Sequence, residues 1–69
     1  MSTISVKFGL NLRKQRKAIG LSQDNLALTA EVDRSYIGRI ERGEANVTLE
    51  MLYKLASVLN CHPRDLLPE

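Results

Sequence analysis

Residues Leu21 to Gly43, LSQDNLALTAEVDRSYIGRIERG, constrain the fold of this chain more than any other stretch. Ser22 and Asp33 are residue types whose side-chain oxygens start helices. Each is followed by apolar residues at helical spacing, Leu26, Ala27 and Ala30 after the first and Ile37 and Ile40 after the second. The connection between the two runs is only about three residues, which forces a tight corner. Ala27 is small enough to let the following helix cross close by. The outward face of the second helix carries Arg34, Arg39 and Arg42 beside Ser35 and Gly38. Three guanidiniums on one exposed helical face repel each other unless an anion is their partner.

The rest of the chain has the same periodicity. A first helix is predicted from Ile4 to Ala18, with Phe8, Leu12 and Ile19 on its apolar side, continued by Val6 and Ile4. Lys14 and Lys17 fall on the opposite side, and Gly20 stops the helix as a left-handed cap. A fourth helix begins at the cap Thr48, with Glu50 complementing the dipole of its first turn. Its apolar face is Leu49, Leu52, Leu55, Ala56 and Leu59, and Asn60 is placed as its left-handed cap. His62 as N-cap and Pro63 at the first helical position predict a short fifth helix holding Leu66 and Leu67. No stretch alternates apolar and polar long enough to form a strand. The expectation is an all-α, five-helix fold in a single domain, residues 1–69.

At 69 residues the chain has a thin stability margin. One cysteine, Cys61, excludes an intrachain disulfide, and a lone thiol without a signal peptide suits a reducing cytoplasm. No apolar run approaches the ~20 residues of a membrane span. Self-association is the remaining way to add stability. The net charge is only +2, but residues 1–42 carry eight basic against four acidic side chains, and residues 43–69 carry two against four. The basic part is suited to face a polyanion.

Two short helices at a tight turn, the second lined with arginine, are the layout of a helix-turn-helix, whose second helix enters the major groove of DNA. Arginine also reads guanine through two parallel hydrogen bonds. LSQDNLA, then DRSYIGRIERG, then NVTLEMLYKLASVL resemble the lambda-repressor-like (Xre-type) family of bacterial and phage regulators. The resemblance spans about Phe8 to Leu67 and is strongest to the small regulators that include the controllers of restriction–modification systems.

That resemblance implies a homodimer that binds a palindromic operator on double-stranded DNA, with recognition helices ~34 Å apart. It implies base contacts from Arg34, Ser35 and Arg39, and backbone contacts from Gln23, Tyr36, Arg42 and Asn46. It implies a salt bridge between Arg16 and Glu41 that fixes the recognition helix. Three departures from the family pattern stand out. Glu31 occupies the turn position where glycine is usual, Val47 replaces a proline, and Asp24-Asn25 replaces a pair of glutamates.

Leu59, Leu66 and Leu67, with the face of the fourth helix, exceed what one small core should absorb and are assigned to the dimer contact. Leu10 and Leu28 are expected on wet faces. Cys61 and His62 lack the further ligands a zinc site needs, so no metal or other cofactor is expected. The lack of a second histidine or an oriented triad argues against catalysis. RNA polymerase is a further candidate partner, although no residue feature marks a patch for it. A phage or plasmid repressor, or an antitoxin-like protein-interaction module on the same fold, is the alternative function.

Overall fold

Every helix of this chain is stopped by the same backbone device. The computed structural model describes residues 3–69, as four α-helices: α1 (Thr3–Ala18), α2 (Gln23–Ala30), α3 (Arg34–Glu41) and α4 (Leu49–Val58). Just beyond each helix stands one left-handed residue, in turn Gly20, Glu31, Gly43 and Asn60. Its N–H and that of the next residue turn back onto the last helical turn. Gly20 and Leu21 donate to the carbonyls of Lys17 and Arg16, Glu31 and Val32 to those of Leu28 and Ala27. Gly43 and Glu44 donate to Ile40 and Arg39, and Asn60 and Cys61 to Ser57 and Ala56. These are Schellman motifs, which satisfy carbonyls that would otherwise be orphaned.

The starts are built differently. Ser22 Oγ accepts from the Asn25 N–H at 3.0 Å, and Thr48 Oγ1 from the Met51 N–H at 3.1 Å. Asp33 occupies the N-cap position of α3, but its side chain makes no cap bond.

Glu31 holds φ 60° and ψ 43°. The left-handed region costs a side-chain-bearing residue ~1–2 kcal/mol, and glycine returns only part of that as unfolded-state entropy. Glu31→Gly should therefore stabilise the fold by ~0.5–1 kcal/mol, raising the melting temperature by a few degrees. A thermal melt that moves downward would show that the Glu31 side chain makes a compensating contact.

The described residues form four α-helices and not five. Pro63–Asp65 form a single 3₁₀ turn. Its bonds run three residues back, from the amides of Asp65, Leu66 and Leu67 to the carbonyls of His62, Pro63 and Arg64. Pro68 disfavours helical backbone at Leu67 and leaves no room for a second turn. The carbonyls of Leu66 and Leu67 are taken by Asn11 Nδ2 of α1, both at 3.1 Å. The all-α helix-turn-helix architecture is otherwise as anticipated.

The core gathers Phe8 and Leu12 of α1, Leu26, Ala27 and Ala30 of α2, Ile37 and Ile40 of α3, and Leu52, Leu55 and Ala56 of α4. Leu59 and Leu66 complete it. Several expectations from periodicity need correction here. Ile4, Val6 and Ile19 lie at the surface, because α1 turns Phe8, Gly9, Leu12 and Arg16 inward. Leu49, at the first position of α4, is exposed as well. Leu59 and Leu66 are closed within the monomer, so neither forms a surface for a second copy. Of the three leucines assigned to a dimer contact, Leu67 alone is exposed. Leu10 and Leu28 are exposed.

Candidate nucleic-acid interface

The position of α3 is fixed from beneath by charge as well as by apolar packing. Arg16 of α1 and Glu41 of α3 are both buried. Arg16 Nε donates to Glu41 Oε2 at 2.6 Å and a terminal nitrogen donates to Oε1 at 3.0 Å. The other terminal nitrogen donates to the Leu21 carbonyl in the α1–α2 connection at 2.8 Å. One guanidinium thus ties α1 to α3 and to the entry of the turn motif. Burial by itself pushes the Glu41 carboxyl up. Hydrogen bonds from Arg16 and Gln23, with the charges of Arg16 and Arg13, outweigh that and hold it below the ordinary carboxylate range.

Gln23, the first residue of α2, is half-buried and donates from Nε2 to Glu41 Oε1 at 3.0 Å. An amide nitrogen carries two hydrogens. One is used here, which fixes the plane of the amide and the direction of the other.

Ile37 and Ile40 face the core, so α3 turns Arg34, Ser35 and Arg39 to solvent. Ser35, Tyr36 and Arg39 share one open depression with the turn residues Glu31, Val32 and Asp33. Tyr36 is half-buried, its ring against the core. Arg34 lies on the other side of the helix start, where its guanidinium pairs with Asp24 of α2 at 2.5 Å. Arg42, just past α3, bonds Glu44 at 2.9 and 3.3 Å. That contact raises the guanidinium's proton affinity and, through the same hydrogen bond, lowers the Glu44 carboxyl.

Gly38 lies between two of these groups. A Cβ built there would stand 3.0 Å from an Arg42 terminal nitrogen and 3.9 Å from Gln23 Oε1. Gln23 and Arg42 therefore flank the same bare turn of α3. Asn46 is set apart, in the loop before α4, where its Oδ1 accepts from Ser5 Oγ at 3.2 Å.

Sequence reasoning missed three features of this face: the Gln23–Glu41 bond and the partners of Arg34 and Arg42. An Arg-x-Glu spacing was available as a signal for Arg42 and Glu44. Arg34 and Asp24 are ten positions apart across the turn, and no local pattern pairs them. Elsewhere, Cys61 is half-buried against the core, and burial pushes its thiol up. Among the described residues no three His, Cys, Asp or Glu side chains are grouped to hold a metal ion. No helix among them is long and apolar enough to cross a membrane.

Residues 12–66 match the helix-turn-helix family. Control protein C.BamHI of Bacillus amyloliquefaciens is 37% identical over 67 residues, covering 96% of this chain and 83% of that protein. Control protein C.SmaI of Serratia marcescens is 46% identical over 57 residues, 83% of this chain and 68% of its own length. In three dimensions the chain superimposes on the restriction–modification controller protein C.AhdI from Aeromonas hydrophila with a TM-score of 0.86. That alignment is 52% identical and covers 90% of this chain and 94% of the controller.

Proposed function

The chain belongs to the helix-turn-helix family, and on that premise we propose that it is a transcriptional regulator of the restriction–modification controller type, binding operator DNA through α3. The observation that carries this reading is the construction of α3 itself. One face is clamped by Ile37, Ile40 and a buried ion pair, and the other offers Arg34, Ser35 and Arg39 to solvent. A rigid helix with a solvent-facing basic edge suits insertion into the major groove. The names of the relatives, control proteins of restriction–modification systems, support the regulatory role.

In this reading phosphates set the register and arginines read the bases. Gln23 offers its second amide hydrogen to a phosphate beside the positive end of α2. Arg42, Tyr36 and Asn46 extend the backbone contacts. Arg34, Ser35 and Arg39 reach base edges.

The protein acts as a homodimer on a palindromic site. The two-fold contact falls to Leu67 together with Leu49 and Tyr53, all exposed, which border one continuous groove beside α4. RNA polymerase enters as the enzyme whose access to a promoter the bound dimer controls.

Selection of bound sequences from random duplex DNA tests the whole reading. A two-fold symmetric sequence is expected. Arg39→Ala should then weaken operator binding by ~1–3 kcal/mol and relax the preference at one base pair of each half-site. Selection without enrichment, or an unchanged preferred sequence for Arg39→Ala, overturns the assignment.

A further inference from the structure

Asp33 stands at the N-cap position of α3, where a carboxylate ordinarily accepts from an amide of the first helical turn. It does not do so here. The Tyr36 N–H, which such a cap would take, donates at 3.0 Å to the Asp33 carbonyl, and the Ile37 N–H reaches the same carbonyl at 3.4 Å. Ser22 and Thr48, at the corresponding positions of α2 and α4, both use their side-chain oxygens as caps. The Asp33 carboxylate is exposed and makes no hydrogen bond or ion pair among the described residues. It lines the open depression that also holds Ser35, Tyr36 and Arg39.

The leading end of a recognition helix is the part that lies against base edges. A carboxylate there is unfavourable unless it meets a donor. In the major groove guanine and thymine present acceptors, and the donors are the exocyclic amines of cytosine and adenine. Adenine sets its N7 acceptor beside the amine, where it repels the second carboxylate oxygen. Cytosine presents its N4 amine with no acceptor of its own. We propose that Asp33 is a specificity-determining residue, which accepts from the N4 amine of a cytosine in each half-site and rejects guanine and thymine there. Arg34 and Arg39 select by donating, and Asp33 adds a selection of the opposite kind. Glu31 borders the same depression from the turn, outside α3, and supplies a control for charge alone.

The inference rests on α3 binding DNA, and the experiment separates the two. Bound sequences are selected from random duplex DNA with the wild type, Asp33→Ala, Asp33→Asn and Glu31→Gln. All three variants should melt within a few degrees of the wild type, since Asp33 has no cap bond to lose. The wild type should prefer cytosine at one position of each half-site by about tenfold over guanine or thymine. Asp33→Ala should reduce that preference to less than about twofold, and Asp33→Asn should move it to adenine, whose N6 and N7 match an amide. Glu31→Gln should strengthen binding to all sequences alike and leave the preference in place. N4-methylcytosine at that position, which lacks the donor, should weaken the wild type about tenfold and Asp33→Ala less than about twofold. A cytosine preference that survives Asp33→Ala belongs to an arginine reading the guanine across the pair, and overturns the inference while the DNA-binding reading stands. A preference relaxed equally by Glu31→Gln would show that only charge is felt, and overturns it too. A wild type that enriches no sequence overturns the DNA-binding reading, and this inference with it.

Discussion

Gly9→Ala is expected to cost at least ~3 kcal/mol and to abolish DNA binding at temperatures where the wild type is folded. A Cβ on Gly9 would strike the carbonyl oxygen of Ile40 and stand 2.7 Å from that of Glu41. Both obstacles are backbone of α3, so no rotamer change relieves the contact. The remedy open to the chain is to move α1 away from α3. That motion also separates Arg16 from Glu41 and leaves the Gln23 amide without its anchor. A domain of this length has about 3–10 kcal/mol of stability in total, so the loss approaches the whole of it. Gly38→Ala is the control. Its Cβ meets the far end of the flexible Arg42 side chain, and alanine favours a helix by ~1 kcal/mol over glycine. Chemical denaturation should find Gly9→Ala much less stable than wild type and Gly38→Ala close to it. A Gly9→Ala protein of wild-type midpoint would mean that α1 and α3 pack less closely than described.

Gly9 also shows where sequence reading stops. Inside a helix a glycine reads only as a local penalty, and the close approach it permits is to a helix thirty residues away. Features decided within a few residues were legible. Ser22 and Thr48 cap helices from next door, and the left-handed residues Gly20 and Asn60 close the helix that has just ended. The weak points were choices among tertiary partners. Periodicity marked Leu59, Leu66 and Leu67 as apolar but could not tell a monomer core from a contact between copies, and the core takes the first two. Ile19 continued the pattern of α1 beyond the last helical residue, where the chain turns it outward. The Arg16–Glu41 bridge came from family resemblance alone, since nothing local joins positions twenty-five residues apart. The expected fifth helix is cut to one 3₁₀ turn by Pro68, a local signal that the capping pattern at His62 and Pro63 does not override.

Glu41→Ala is the second substitution with a large expected effect, ~3–5 kcal/mol at neutral pH, because it leaves the buried Arg16 guanidinium without a counter-charge. Replacing both partners, Arg16→Met with Glu41→Leu, should cost less than the single change, since an apolar pair of similar volume leaves no uncompensated ion. The same pair sets a pH dependence with a definite sign. The Glu41 carboxyl is held below its ordinary value of 4.5, so the folded state binds its proton less readily than the unfolded chain. Its contribution is present in full above that value and disappears as pH falls through the lower, folded one. Wild-type stability should therefore decline with acid below about pH 5, and the decline should be shallower in the double variant. DNA binding adds a second readout. The double variant keeps a folded core but has no carboxylate to orient Gln23, so it should bind random DNA less tightly than wild type even where both are fully folded. Restoring Glu41 alone, on the Arg16→Met background, should recover part of that binding through the Gln23 bond while destabilising the fold with an unpaired buried carboxylate. Stability and binding moving in opposite directions within one variant would separate the role of Glu41 toward Gln23 from its role toward Arg16. Binding that follows stability in every variant would show that the carboxylate only holds the helices together.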